Sequence, residues 1–186
     1  MNSYYLDKGN LKIIRGNFLE KGMIRLDGFV EENLYERLKR EIEKEKFIHE
    51  KIATKFSYSA CKLPALAREI LDSPELRFIV QNIYRKKLGK LNLEVRKFGH
   101  RDYTLIHDSI LKKDTLEFIF FVCEQWNPKW GGNKVYVKKE KSYVFPPRGN
   151  SFVLVENKKE LKGFVQYVNH LSKKNKFTAV EGFFSV

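Results

Sequence analysis

The stretch that decides the fold runs from Tyr143 to Val155 and reads YVFPPRGNSFVLV. Its two ends, 143–145 and 151–155, are short runs rich in aromatic and β-branched residues, which favour strands. Between them stand two prolines and a Gly-Asn pair, which interrupt strands and build turns. The stretch therefore predicts two β-strands joined by a loop.

The same alternation of short strand and turn repeats through the second half of the chain. The β-prone segments are 91–96, 103–106, 116–122, 135–137, 143–145, 151–155, 164–168 and 177–184. The segment 116–122 is nearly all apolar, as expected for a strand that is buried on both faces. About eight short strands at this spacing predict a β-sandwich or barrel.

The first half of the chain carries helix signals instead. Helices are predicted over 31–46, 64–71 and 73–88, and short strands over 11–14 and 23–26. The third helix has the strongest start, because Ser73 can cap it and Pro74 suits its first turn. The patterns predict one α+β domain over 1–186, with a helical N-terminal support region at 1–90 and a β-core at 91–186.

The bulk composition narrows the class of protein. Hydrophobic residues make up 42% of the 186 residues, which is enough for one sizeable core. The apolar runs are far too short to cross a bilayer, and no secretory signal is visible at the N-terminus. Cys61 and Cys123 lie far apart in the chain. We therefore expect a cytoplasmic protein with two reduced thiols and no membrane partner.

The chain is strongly basic, with a formal net charge of +13 at pH 7. A charge of this size suits a nucleic-acid partner, but it also suits a lysine-rich surface that only solvates the protein. The basic residues are dispersed in short runs, and no nucleic-acid-binding motif accompanies them. The dispersed pattern favours the solvating surface and leaves a nucleic-acid partner as an alternative.

A set of motifs follows in a fixed order from residue 26 to residue 184. They are LDGFV (26–30), LDSPEL (71–76), YTLIHDS (103–109), WGG (130–132), PPRGNSFVL (146–154), VQYV (165–168) and EGFF (181–184). Their order and spacing resemble those of prolyl-hydroxylase-like 2-oxoglutarate/iron(II) oxygenases. The resemblance implies N-terminal helices packed on a double-stranded β-helix, which is a cupin-like jelly-roll.

In that family two histidines and one carboxylate bind the iron and leave open positions for the keto acid and dioxygen. The resemblance places the first ligand pair, with the pattern His-x-Asp, on the strand that carries His107. Here Ser109 stands at the second ligand position, and a serine hydroxyl is a poor iron ligand. Asp108 is adjacent to His107 and should point to the other face of a regular strand.

The resemblance assigns two more groups to the later strands. Gly163 stands where the second histidine belongs and has no side chain to bind a metal; His170 could replace it only if the strand register slips. Phe177 stands where a basic residue holds the keto-acid carboxylate, and phenylalanine offers no hydrogen bond. Lys176 is one residue away and therefore on the opposite face of a regular strand.

The incomplete set of ligands leads to three alternatives for function. The leading one is a non-catalytic protein on the oxygenase fold, with no cofactor and an unidentified protein or peptide partner. Its pocket would be lined by His107, Ser109, Tyr136, Gly163 and Phe177. The second is an active iron(II)/2-oxoglutarate hydroxylase that uses His107, Asp108 and His170 as relocated ligands and Lys176 as the anchor. The third is a basic nucleic-acid-associated protein.

Overall fold

Two facing β-sheets, with helices packed on the outer face of the larger one, make up the fold of the computed structural model. The structure describes residues 1–105, 115–158 and 160–186. This arrangement confirms the prediction of an α+β fold with a jelly-roll core. In the described part of the chain, no helix combines the length and the apolar character needed to cross a membrane.

Four α-helices come from the first half of the described chain. They are α1 (Lys8–Lys21), α2 (Glu32–Lys44), α3 (Ala65–Leu71) and α4 (Pro74–Tyr84). The start of α4 follows the prediction, because the Ser73 side chain accepts a hydrogen bond from the backbone N–H of Leu76. The strand predicted over 11–14 was wrong, because those residues lie within α1. Asp7 caps that helix by accepting from the backbone N–H of Asn10.

Eleven β-strands are found in the described residues. They are β1 (Met23–Asp27), β2 (Ile48–Ile52), β3 (Phe56–Cys61), β4 (Leu91–Phe98), β5 (Tyr103–Thr104), β6 (Thr115–Val122), β7 (Lys134–Lys138), β8 (Lys141–Phe145), β9 (Ser151–Asn157), β10 (Leu161–Val165) and β11 (Phe177–Ser185). The large sheet has the order β1-β9-β6-β11-β4-β3-β2, and β5 joins it beside β3. The small sheet has the order β10-β7-β8. All of these strand pairs are antiparallel.

The structure corrects two details of the sequence prediction. Residues 1–90 contribute β1, β2 and β3 to the large sheet, so this region is not purely a helical support. The strand predicted over 164–168 is β10, which lies three residues earlier along the chain. Its last predicted residues leave the small sheet, because the backbone N–H of Val168 donates to the carbonyl of Asp102.

The alternation of side chains along β6 divides the buried residues into two cores. All eight residues of β6 are buried. Phe118 and Phe120 face the helices, whereas Ile119 and Phe121 face the space between the two sheets. Because this second space is the interior of the barrel, any site of the oxygenase kind belongs there.

Candidate functional site

Two buried glutamates on the same face of the large sheet point into the interior of the barrel. Glu117 lies on β6 and Glu181 on the neighbouring strand β11, and they are 1% and 2% exposed. Lys134 reaches both from β7 in the small sheet: its Nζ lies 3.1 Å from Oε1 of Glu117 and 3.6 Å from Oε1 of Glu181. The three side chains therefore tie the two sheets together by charge.

A second cation completes this network on the large sheet. Arg96 of β4 donates from Nη1 to Oε2 of Glu181 over 2.6 Å and from Nη2 to the partly exposed Glu94. Its guanidinium lies 4.8 Å from the ring centroid of Tyr58, a distance suited to a cation–π contact. We call Arg96, Glu117, Lys134 and Glu181 the interior ion network.

The two glutamates of this network differ in their electrostatic environment. Burial raises the pKa of Glu117, and the attraction of Lys134 does not fully offset that effect. Burial also acts to raise the pKa of Glu181, but Arg96 and Lys134 together outweigh it and hold the pKa below its ordinary value. Glu181 is thus stabilised as a carboxylate, whereas Glu117 holds its proton more tightly than an exposed glutamate does.

Tyr136 lies beside the network on β7 and is fully buried. Burial, with the added effect of the Glu117 and Glu181 carboxylates, raises the pKa of its hydroxyl well above the ordinary value. The hydroxyl and Oε2 of Glu117 are close enough to interact, but neither makes a hydrogen bond of ordinary geometry with any described residue. The phenol therefore remains neutral over the ordinary pH range.

An aromatic cluster occupies the position expected for the keto-acid anchor. Phe177 begins β11, is 1% exposed, and stacks on Phe98 with ring centroids 5.1 Å apart. The Trp126 ring packs edge-on against the Phe177 ring with centroids 4.9 Å apart, and the Phe121 ring centroid lies 6.1 Å from that of Phe177. A Cβ on Gly132 would lie only 2.6 Å from Cε1 of Phe177, so the loop is closely packed on the cluster. This position is apolar and enclosed, and it does not fit a carboxylate.

The other positions of the predicted site are arranged as follows. Gly163 lies in β10 directly opposite Tyr136, and a Cβ on it would be 3.0 Å from Cε1 of the tyrosine ring. His170 is exposed in a short 3-10 helix, His170–Ser172, outside both sheets. Lys176 is also exposed, and its aliphatic chain packs on Gly99, where a Cβ would be 3.0 Å from Cγ of the lysine.

Three of the predicted site residues belong to the first ligand strand. His107, Asp108 and Ser109 lie outside the described residues. Among the residues that are described, no group of three or more histidine, cysteine, aspartate or glutamate side chains is arranged to hold a metal ion. The iron ligands therefore remain a prediction. Of the pocket positions that are described, Tyr136 and Gly163 lie directly opposite each other, and Phe177 belongs to the same interior cluster as Tyr136.

The sequence analysis missed the interior ion network. One signal was present, because Glu117 interrupts the apolar run LEFIFFV and Glu181 interrupts the closing strand FTAVEGFF. A single glutamate in an otherwise apolar strand needs a partner when that strand is buried on both faces. The partners could not be predicted from the sequence, because Lys134 and Arg96 come from strands that are distant along the chain.

Comparisons with known proteins bear on the family. No protein-family profile matches the chain. A stretch of 96 residues is 33% identical to mouse (Mus musculus) prolyl 3-hydroxylase OGFOD1. The match covers 48% of this chain and 18% of the mouse protein, so the matched stretch spans less than a fifth of that relative.

Solved structures resemble the chain over nearly its whole length. A prolyl-4-hydroxylase from Pseudomonas putida has a TM-score of 0.73 with 14% sequence identity, over 94% of this chain and 98% of its own. A prolyl hydroxylase from Trichoplax adhaerens, solved with a hypoxia inducible factor peptide fragment, reaches a TM-score of 0.76 with 9% identity, over 96% and 90% of the two chains. The sequence resemblance is thereby confirmed: the chain has the double-stranded β-helix fold of the prolyl-hydroxylase-like 2-oxoglutarate/iron(II) oxygenases.

Proposed function

We propose that the chain is a non-catalytic protein that uses the oxygenase fold as a binding scaffold. The observation that carries the proposal is the place of Phe177. A basic side chain at this point of β11 would grip a keto-acid carboxylate through paired hydrogen bonds. Phe177 instead contacts three aromatic rings and is closed off from solvent.

The charges of the interior also oppose a bound keto acid. Lys134 and Arg96 are already paired with the buried glutamates, and a dianion would have to compete with those carboxylates for them. Arg25 also faces the interior, but its Nη2 donates to the carbonyl of Pro146 over 2.5 Å. Bringing 2-oxoglutarate close to the buried Glu181 carboxylate would add like-charge repulsion in a medium of low dielectric constant.

Prolyl hydroxylation is the competing function, and one observation favours it. The relative with 33% identity over 96 residues is named as a prolyl 3-hydroxylase. In this chain the reaction would require iron(II), 2-oxoglutarate and relocated ligands, with His107, Asp108 and His170 on the metal and Lys176 on the keto acid. The exposed positions of His170 and Lys176, outside the space between the sheets, argue against that arrangement.

Calorimetric titration with manganese(II), followed by 2-oxoglutarate, separates the two functions. We expect no saturable binding of either ligand up to about 1 mM, a concentration at which binding is worth about 4 kcal/mol. A parallel incubation with iron(II), ascorbate and 2-oxoglutarate should form no succinate above a protein-free control.

Metal-dependent binding of 2-oxoglutarate at micromolar concentration would overturn the proposal. In that case H107A, H170A and K176A would show whether the relocated ligands are responsible, since each should abolish binding. Retention of binding in all three variants would reject that arrangement as well.

A further inference from the structure

Three loops meet at the end of the barrel where the aromatic cluster lies. They comprise residues 99–102, 127–131 and 166–176. Backbone hydrogen bonds join them: Arg101 donates to the carbonyl of Val168, and Asn169 donates to the carbonyl of Trp130. The Asn169 side chain adds a bond to the carbonyl of Lys129. The loops thus form one connected surface, which we call the basic rim.

The exposed charges of the basic rim all have one sign. Its cations are Arg101, Lys129, Lys173, Lys174 and Lys176, and each is exposed. Its one acid, Asp102, is buried and is used internally, because it accepts from the Ser57 hydroxyl over 2.7 Å and from the backbone N–H of Gly99 over 2.9 Å. These loops all lie in the described part of the chain, and none of the five cations makes an ion pair there with a described residue.

The two lysines of α2 are arranged differently. On α2, Lys39 lies 3.0 Å from Glu36 and Lys44 lies 2.7 Å from Glu41, so charge is neutralised locally. Glu124, an acid three residues before the second rim loop, lies 3.8 Å from Lys39 instead. Unlike α2, the basic rim therefore has no ion pair that neutralises its cations among the described residues.

The basic rim also exposes aromatic and apolar side chains between its cations. Tyr167 is 52% exposed and Leu171 is 50% exposed. The Tyr167 ring lies 6.3 Å from the partly exposed ring of Tyr103, and Trp130 packs edge-on against Trp126. Exposed rings between cations suit unpaired bases, which stack on them while the phosphates contact lysine and arginine. A base-paired duplex exposes no base face that could stack on such rings, and the binding of an acidic peptide does not require exposed aromatic rings.

We propose that the basic rim binds single-stranded nucleic acid without strict sequence preference. The cations contact the phosphates, and Tyr167 provides a stacking surface for a base. The backbone bonds among the three loops hold this surface in place before binding, so little order has to be created on association. The proposal does not depend on whether the interior binds a metal, and its test is separate from the titration described above.

Fluorescence polarisation with a labelled 12-nucleotide oligouridine at 100 mM salt tests the proposal. K129E/K173E/K174E lowers the net charge by two units at each position, from +13 to +7. We expect at least about tenfold weaker binding, and a slope of log affinity against log salt that is flatter by about 2. Tyr167→Ala should weaken binding about fivefold or more while leaving the salt slope unchanged.

The matched control removes the same charge elsewhere. K8E/K12E/K87E changes two exposed lysines of α1 and one that follows α4. Lys87 lies near the C-terminal end of β11, whereas Phe177 begins that strand. We expect this variant to retain binding within about twofold. Equal losses in the two triple variants would show generic attraction by net charge and overturn the proposal. Binding of a phosphorylated or polyglutamate peptide in preference to the oligonucleotide would also overturn it. Circular dichroism establishes that each variant is folded.

Discussion

Neutralising the two buried glutamates one at a time should affect the stability of the fold differently. Glu181 lies 2.6 Å from Arg96 and 3.6 Å from Lys134. At an effective dielectric constant of about 20, these distances correspond to attractions of about 6 and about 5 kcal/mol before desolvation is subtracted. Because the net effect lowers the pKa of Glu181, its ionised form stabilises the fold. We expect Glu181→Gln to lower the free energy of unfolding at pH 7 by about 3–5 kcal/mol.

Glu117 presents the opposite case. Its attraction to Lys134 does not outweigh the cost of burial, so its pKa is raised and ionisation disfavours the folded state. Glutamine resembles the protonated side chain, and Lys134 keeps Glu181 as a partner. Glu117→Gln should therefore leave the free energy of unfolding within about 1 kcal/mol of the parent, or raise it. Glu94→Gln, which removes a partly exposed partner of Arg96, serves as the control and should cost no more than about 1 kcal/mol.

Urea unfolding followed by circular dichroism measures all three variants. The stabilising contribution of Glu181 is present above its ordinary pKa of 4.5 and is lost as the pH falls through the lower folded-state pKa. The penalty from Glu117 is absent below its ordinary pKa of 4.5 and develops as the pH rises through the raised folded-state pKa. Equal destabilisation by Glu117→Gln and Glu181→Gln at pH 7 would refute this account of the network.

Three further predictions concern buried and partly buried side chains. Phe177→Ala should lower the free energy of unfolding by about 3–5 kcal/mol in urea, since it opens a cavity among three rings; a loss below about 1 kcal/mol would contradict the packing. Burial raises the pKa of Cys61 to about 11 and of Cys123 to about 12, so neither thiol should react quickly with a disulfide reagent at pH 8 until urea is added. Rapid reaction of one equivalent in the native protein would contradict this. Asp102→Ala removes two buried hydrogen bonds and should cost about 3 kcal/mol, measured as a lower midpoint of thermal unfolding, and an unchanged midpoint would count against that role.

Elements with strong local signals could be predicted from the sequence. Ser73 and Pro74, two adjacent residues, set the start of α4. The nearly continuous apolar run of β6 indicates a strand that is buried on both faces. α1 was missed because its apolar residues are sparse, and it depends on packing against α4 and β1. β2 was missed because all five of its residues are exposed, so no alternation of apolar and polar residues marks it; pairing with β3 creates the strand.

The sequence by itself determined the class of fold and identified ligand positions of the family at which this chain has no suitable side chain. Alternating side chains, turn residues and the order of motifs are local properties, so they can be read before the chain folds. They sufficed to indicate the jelly-roll and to show that Gly163 and Phe177 lack ligand groups.

Only the tertiary structure decided which distant residues meet. Lys134 and Glu181 are 47 positions apart along the chain, and the basic rim joins three separate loops. Contacts of this kind depend on the order and spacing of the strands in both sheets, and no local pattern encodes them. The interior ion network and the basic rim therefore depend on how the two sheets pack face to face, and the sequence alone did not predict them.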